Sequence, residues 1–237
     1  MQKIYQNIFY KLINKMLFRR LSLSLAFIPT ITVITCLFIL MYNDPKWICN
    51  PFTDGCFSIS AVGRNMPAVY IFKPVMMLVL ILYAAYFINV YGIFKKFLIS
   101  KYYLHTILIL TIVTVVFLAI YIAVLGVQGS DIWRFMRRIG IYFYITSLVL
   151  NLFVVSLVFN KIKEDYQVII STRAVTIFFY FNILLIIAGL IGFLVNFIIF
   201  ENTIRNLRHL IEWNYFSLIQ ISFFISFFIF KNLDTQD

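Results

Sequence analysis

Charge is scarce in this chain. Only nine of its 237 residues are acidic, and Asp, Glu, Lys and Arg together make up 12%. A soluble domain carries about 25% charged residues, so lipid rather than water is the expected solvent for most of the chain. Ion pathways, proton relays, voltage sensors and retinal sites place ionisable groups at membrane depth. The long apolar runs here hold no acid, Lys or Arg well inside them, which counts against those classes. Histidine is also nearly absent. His105 and His209 are the two present, whereas a catalytic zinc takes three protein ligands. No metal and no cofactor is expected. A G-x-S-x-G nucleophile elbow is missing. Ser58 and Ser60 with His209 as base remain a candidate pair of nucleophiles, set against the plainer reading that these serines end a loop and cap a turn.

What is present is apolar: 63% hydrophobic residues, with 27 Phe and 15 Tyr. Six charge-free runs occupy residues 21–42, 75–94, 102–125, 139–159, 174–200 and 213–230. About 20 apolar residues cross the hydrocarbon core as a helix, and none of the runs alternates as a barrel strand must. The fold class is therefore all-α: a polytopic membrane protein with six transmembrane helices in one domain, 21–230. The run 174–200 is long enough to tilt. Pro29 is expected to kink the first helix, with Ser24, Thr30 and Thr32 offering hydroxyls nearby.

The net charge is +11, but the Lys and Arg residues sit in short gaps between apolar runs. A nucleic-acid binder clusters them on a soluble face, so membrane lipids are the expected partners and nucleic acid is not. Residues 1–20 place Ile8, Leu12 and Met16 on one stripe and Lys11, Lys15 and Arg19 on another. This predicts a basic amphipathic helix lying on the membrane surface. A cleaved signal peptide is the rival reading, but the run 21–42 is too long for one. With six spans, twelve Lys and Arg fall on the side of the termini and eight on the other. The positive-inside rule makes both termini cytoplasmic, with 231–237 a short tail. The membrane itself, bacterial inner or eukaryotic, is left open.

The outward loop 43–74 then gathers most of the turn residues. Cys49 and Cys56 lie in an oxidising compartment and can close a disulfide; two free thiols, or one pairing elsewhere, are the alternative. Cys36 reads as a small core residue. The other outward connections hold Asp131 with Arg134, Arg137 and Arg138, and a stretch from Glu201 to Glu212 expected to form a short helical cap. Arg64, Asp131 and Glu212 are expected to converge beside Trp213, a polar patch suited to lipid headgroups. Trp213 itself fits the aromatic belt at the interface. Asn89, Asn151, Asn182 and Asn196, inside the runs, read as interhelical hydrogen-bonding groups.

The loop and the last run together resemble the DRAM family, which includes the Sfk and FRAG-type proteins and the Cwh-type N-terminal domain. The resemblance rests on Ile59-Ser60, Gly63 and Pro67, followed by Tyr70-Ile71-Phe72, and on Glu212-Trp213 opening the last helix. Many members also carry a His after the Asp of the second outer loop; here Asp131 is followed by Trp133 and Arg137-Arg138 instead. The resemblance implies a six-span protein with a long first extracytoplasmic loop and a role in lipid handling. Fold-level likeness does not assign a reaction. A non-catalytic role is expected; if the chain is a catalyst, it performs metal-independent remodelling of lipid acyl chains. The leading functional expectation is a protein that binds and helps organise or remodel membrane lipids through its extracytoplasmic loops. The alternatives are a scaffold or regulator recruiting a protein partner through its basic cytoplasmic face and, more weakly, a transporter subunit.

Overall fold

The computed structural model describes residues 15–127, 131–198 and 205–231. Seven α-helices follow in order: α1 Lys15–Asn43, α2 Ile59–Arg64, α3 Val69–Lys96, α4 Lys101–Val124, α5 Asp131–Ile162, α6 Thr172–Ile198 and α7 Arg205–Ser226. A single 3-10 turn, Pro45–Trp47, stands between α1 and α2. The described residues form no strand; Ile170 and Phe230 make one isolated antiparallel bridge. Helices dominate because each long run satisfies its own backbone N–H and C=O groups, the condition for residing in lipid.

The long helices form a closed ring. Going round it, α1 packs on α3, α3 on α4, α4 on α5, α5 on α6, α6 on α7, and α7 back on α1. The centre is aromatic. Phe18, Tyr86, Phe159, Phe223 and Phe230 are all nearly or fully buried, and Phe18 lies edge-on to Phe159 and Phe230. Polar side chains inside the ring join helices, as the sequence predicts for two of the asparagines. The Asn151 amide donates to Thr111 Oγ1 at 3.0 Å, and the Ser222 hydroxyl donates to Asn182 Oδ1 at 3.0 Å. The side chain of Asn196 lies outside the described residues. Outward faces carry exposed Ile31, Phe38, Ile81, Ile88, Ile112 and Leu190. Monomeric soluble proteins rarely show so continuous an apolar exterior.

Five helices, α1, α3, α4, α5 and α6, are long and apolar enough to cross a membrane. This makes the chain a multi-pass membrane protein. The sixth expected span, 213–230, is helical through Ser226, but Asn214, Ser217, Gln220 and Ser222 interrupt its apolar surface. By length and composition α7 does not join the other five.

The expected boundary at residue 20 also moves. Residues 1–14 of the predicted amphipathic helix lie outside the described residues. Lys15–Arg20 continue without a break into α1, because Phe18 turns into the aromatic centre and is fully buried. The helix remains continuous through Pro29, and the Thr30 and Thr32 hydroxyls donate one turn back to Ala26 and Ile28 carbonyls. α3 likewise starts at Val69, ahead of the expected 75, because Val69 and Phe72 are already buried. Cys36 is fully buried, as a core residue should be.

Candidate functional site

The site lies at the end of the ring that carries the connection between α1 and α3. Cys49 and Cys56 are joined in a disulfide there, with Cα atoms 6.6 Å apart. The bridge closes a turn in which Asn50 Oδ1 accepts from the Phe52 amide and the Asn50 carbonyl accepts from the Asp54 amide. Cys49, Asp54 and Cys56 are close enough to suggest a metal group. The ligating form of cysteine is the thiolate, which a disulfide removes. Gly55 sits at φ +61°, and a Cβ there would fall 1.9 Å from the Asn206 carbonyl oxygen. Only glycine suits both demands.

The N-terminal half of α7 fastens this loop at four points. Asn214 Nδ2 donates to the Phe52 carbonyl at 3.2 Å, and His209 Nδ1 meets the Gly55 carbonyl at 3.1 Å. Trp213 Nε1 donates to the Phe57 carbonyl at 2.8 Å. Glu212 Oε1 accepts the Ile59 amide at 3.1 Å, and the Ser60 amide is directed to the same carboxylate.

The opening turn of α2 is fully accounted for by these contacts. The first amides of a helix have no partner within it. Here Ile59 and Ser60 take Glu212, while Ala61 takes Ser58 Oγ at 3.0 Å and Val62 takes the Ser58 carbonyl. Ser58 is thus an N-cap, the plainer of its two sequence readings. Glu212 precedes the apolar run that starts at Trp213. Burial pushes its carboxyl up to about 7, against the opposite pull of the Ser60 and Ile59 amides.

Below this loop, α2, α5, α6 and α7 enclose a cavity of about 1,020 Å³ that is open on one side. That is at the upper end of the ~300–1,000 Å³ typical of ligand sites. Its rim is polar: Ser58, Ser60 and Arg64 from the loop, Arg137 and Arg138 from α5, and Arg208, His209 and Glu212 from α7. Its depth is apolar, with Ile141, Ile145 and Val149 of α5 and Ile186 of α6. Gly189 lets the walls close, since a Cβ there would lie 2.5 Å from Tyr215 Oη. Arg137 is partly buried, and that burial, with Arg64 nearby, lowers its pKa. Arginine still keeps its charge at neutral pH. Tyr121 of α4 approaches Ser60 through its hydroxyl.

The candidates from sequence therefore separate into four groups. Arg64, Ser60 and Glu212 meet at the cavity rim. Trp213 is 1% exposed, buried against Phe52 rather than standing in an interfacial belt. Asp131 does not join the rim: its side chain is 93% exposed and paired with Arg134, one turn along α5. Ile59 and Gly63 are buried parts of α2, and Pro67 follows a cis bond at the approach to α3. A Cβ on Gly63 would press into the Phe72 ring at 2.8 Å. Sequence reasoning passed over Arg137 and Arg138 as site residues, although their spacing to the apolar residues below them carried the signal. No family model, curated protein or solved structure matches this chain.

Proposed function

We propose that this protein binds membrane lipids in the cavity beneath the loop and helps to organise or remodel them. The observation that carries the reading is the polarity of that cavity. Four arginines stand at one end, and an apolar wall runs from them between helices that are themselves surrounded by apolar surface. A ligand with an anionic head and a hydrocarbon body matches this profile; a fully water-soluble metabolite would leave the apolar depth unfilled. In this reading α7 completes a six-span bundle, the loop end is extracytoplasmic, and the termini are cytoplasmic. The resemblance to the DRAM, Sfk and FRAG-type proteins points the same way.

A phospholipid carrying a photoactivatable group in its acyl chain tests the proposal. After irradiation in vesicles, adducts are expected on Ile141, Ile145, Val149 or Ile186. Adducts confined to the outward residues Ile31, Phe38, Ile81 and Ile112 would mean that lipid merely bathes the exterior. The scaffold reading would then become the stronger one, with the basic N-terminal segment as its docking element.

A further inference from the structure

We infer that the cavity selects an anionic glycerophospholipid, holding its phosphate at Arg64, Arg137 and Arg138 and laying an acyl chain along α5. The inference rests on the lipid-binding reading and specifies its ligand.

The stripe pattern of α5 is the first support. Two rows at i,i+4 spacing descend its cavity face: Arg137, Ile141, Ile145, Val149, and beside it Arg138, Tyr142, Thr146, Leu150. All eight residues line the cavity. Residues four apart lie one above the other on a helix. Each guanidinium thus heads its own largely apolar track. Twelve residues rise about 18 Å, close to the depth of one leaflet, half of a ~30 Å hydrocarbon core. The track therefore matches a lipid anchored at the surface and extending one leaflet inward.

Charge is the second support. Arg64, Arg137, Arg138 and Arg208 reach the cavity, and among the described residues that line it Glu212 is the one acid. Glu212 is already committed to the Ile59 and Ser60 amides. The salt bridges Lys46–Asp44 and Arg134–Asp131 provide no carboxylate to Arg64, Arg137 or Arg138. Arg137 is partly buried with Arg64 as a like-charged neighbour, a repulsion that an anion held between them offsets. A phosphate accepts paired N–H bonds from guanidinium forks in the required geometry. A zwitterionic headgroup would bring a further cation into the cluster, which disfavours it relative to a glycerol-type or bare phosphate headgroup.

The test is direct titration of the full-length detergent-solubilised protein, read by native mass spectrometry. The probes are phosphatidylglycerol, phosphatidylcholine with the same acyl chains, and inorganic phosphate. Phosphatidylglycerol is expected to bind at least tenfold more tightly than phosphatidylcholine. Arg64→Gln and Arg137→Gln together should weaken phosphatidylglycerol by roughly ten- to a hundredfold, the scale of lost charged hydrogen bonds, while phosphatidylcholine changes little. If that double variant does not fold, Arg138→Gln, at an exposed position, serves in its place. Equal affinity for both lipids, unaltered by the arginine variants, overturns the anionic selection but leaves lipid binding intact. Retention of both lipids by Ile145→Trp, which fills the track, overturns the lipid-binding reading itself. Inorganic phosphate binding as tightly as phosphatidylglycerol would show a site for free anions and overturn the lipid assignment.

Discussion

Glu212 Oε1 lies 3.1 Å from the amide nitrogen of Ile59, across 153 positions of sequence. Beside it, the Trp213 indole donates to the Phe57 carbonyl at 2.8 Å. The Glu-Trp step, two turns into α7, therefore works on the loop: it caps α2 and fixes that short helix over the cavity. Arg64, which α2 carries in its last turn, is placed at the rim by the same contacts.

Trp213→Phe keeps an aromatic ring but loses the indole donor and part of the buried volume. The buried Phe57 carbonyl is then left without that partner, a cost of about 1–3 kcal/mol. Thermal unfolding in detergent should show a lowered Tm. An unchanged Tm would mean that the indole hydrogen bond contributes nothing to holding the loop.

The two glycines Gly55 and Gly92 should respond in opposite ways to alanine. Gly55→Ala places a methyl group 1.9 Å from the Asn206 carbonyl oxygen at a left-handed backbone position. It should sharply reduce the yield of folded protein. Gly92 has no atom within 4 Å of an added Cβ and lies inside α3, so Gly92→Ala should match or exceed the wild type in stability by up to ~1 kcal/mol. Expression and Tm of the pair provide the comparison.

Stability should depend on pH through Glu212. Its carboxyl titrates near 7 in the folded state, against an ordinary 4.5. Between these values the folded protein holds a proton that the unfolded chain has released. The contribution is complete below about pH 4.5, falls as pH rises toward 7, and is gone above it. Glu212→Gln keeps an oxygen to accept the Ile59 amide and should flatten that slope. Tm measured from pH 4 to 8 for both proteins isolates the effect from other groups; identical profiles would contradict it.

Reducing the Cys49–Cys56 bridge should loosen the loop. A bond between residues seven apart contributes about 2–3 kcal/mol by the chain-entropy relation. Cys49→Ser with Cys56→Ser should lower Tm, and reductant should have the same effect on the wild type but none on that variant. Tm values indifferent to reductant in the wild type would count against the bridge as a stabilising element.

Helix positions were legible in the sequence because charge-free runs of Leu, Ile, Val and Phe have few alternatives in lipid. Their ends were less so. Lys15–Arg20 belong to α1, where Phe18 packs against Tyr86, Phe159 and Phe230, a set of contacts that local periodicity does not reveal. The disulfide was legible as an option, since both cysteines share one short loop. The roles of Asp131 and Trp213 were not. Asp131 has Arg134 one turn away and takes that local partner, while the tryptophan is drawn inward by a carbonyl 156 residues distant. Arg137 and Arg138 could have been found by carrying the i,i+4 count downward from each into the apolar run.

The central claim, that the protein handles lipid at this cavity, is tested most directly by the lipid composition of the host membrane. Cells with the gene, cells without it, and cells carrying Arg64→Gln with Arg137→Gln are compared by mass spectrometry. The account predicts that one anionic phospholipid class shifts on deletion, is restored by the wild type, and is not restored by the double variant. A composition unchanged by deletion, or restored fully by the double variant, would contradict it.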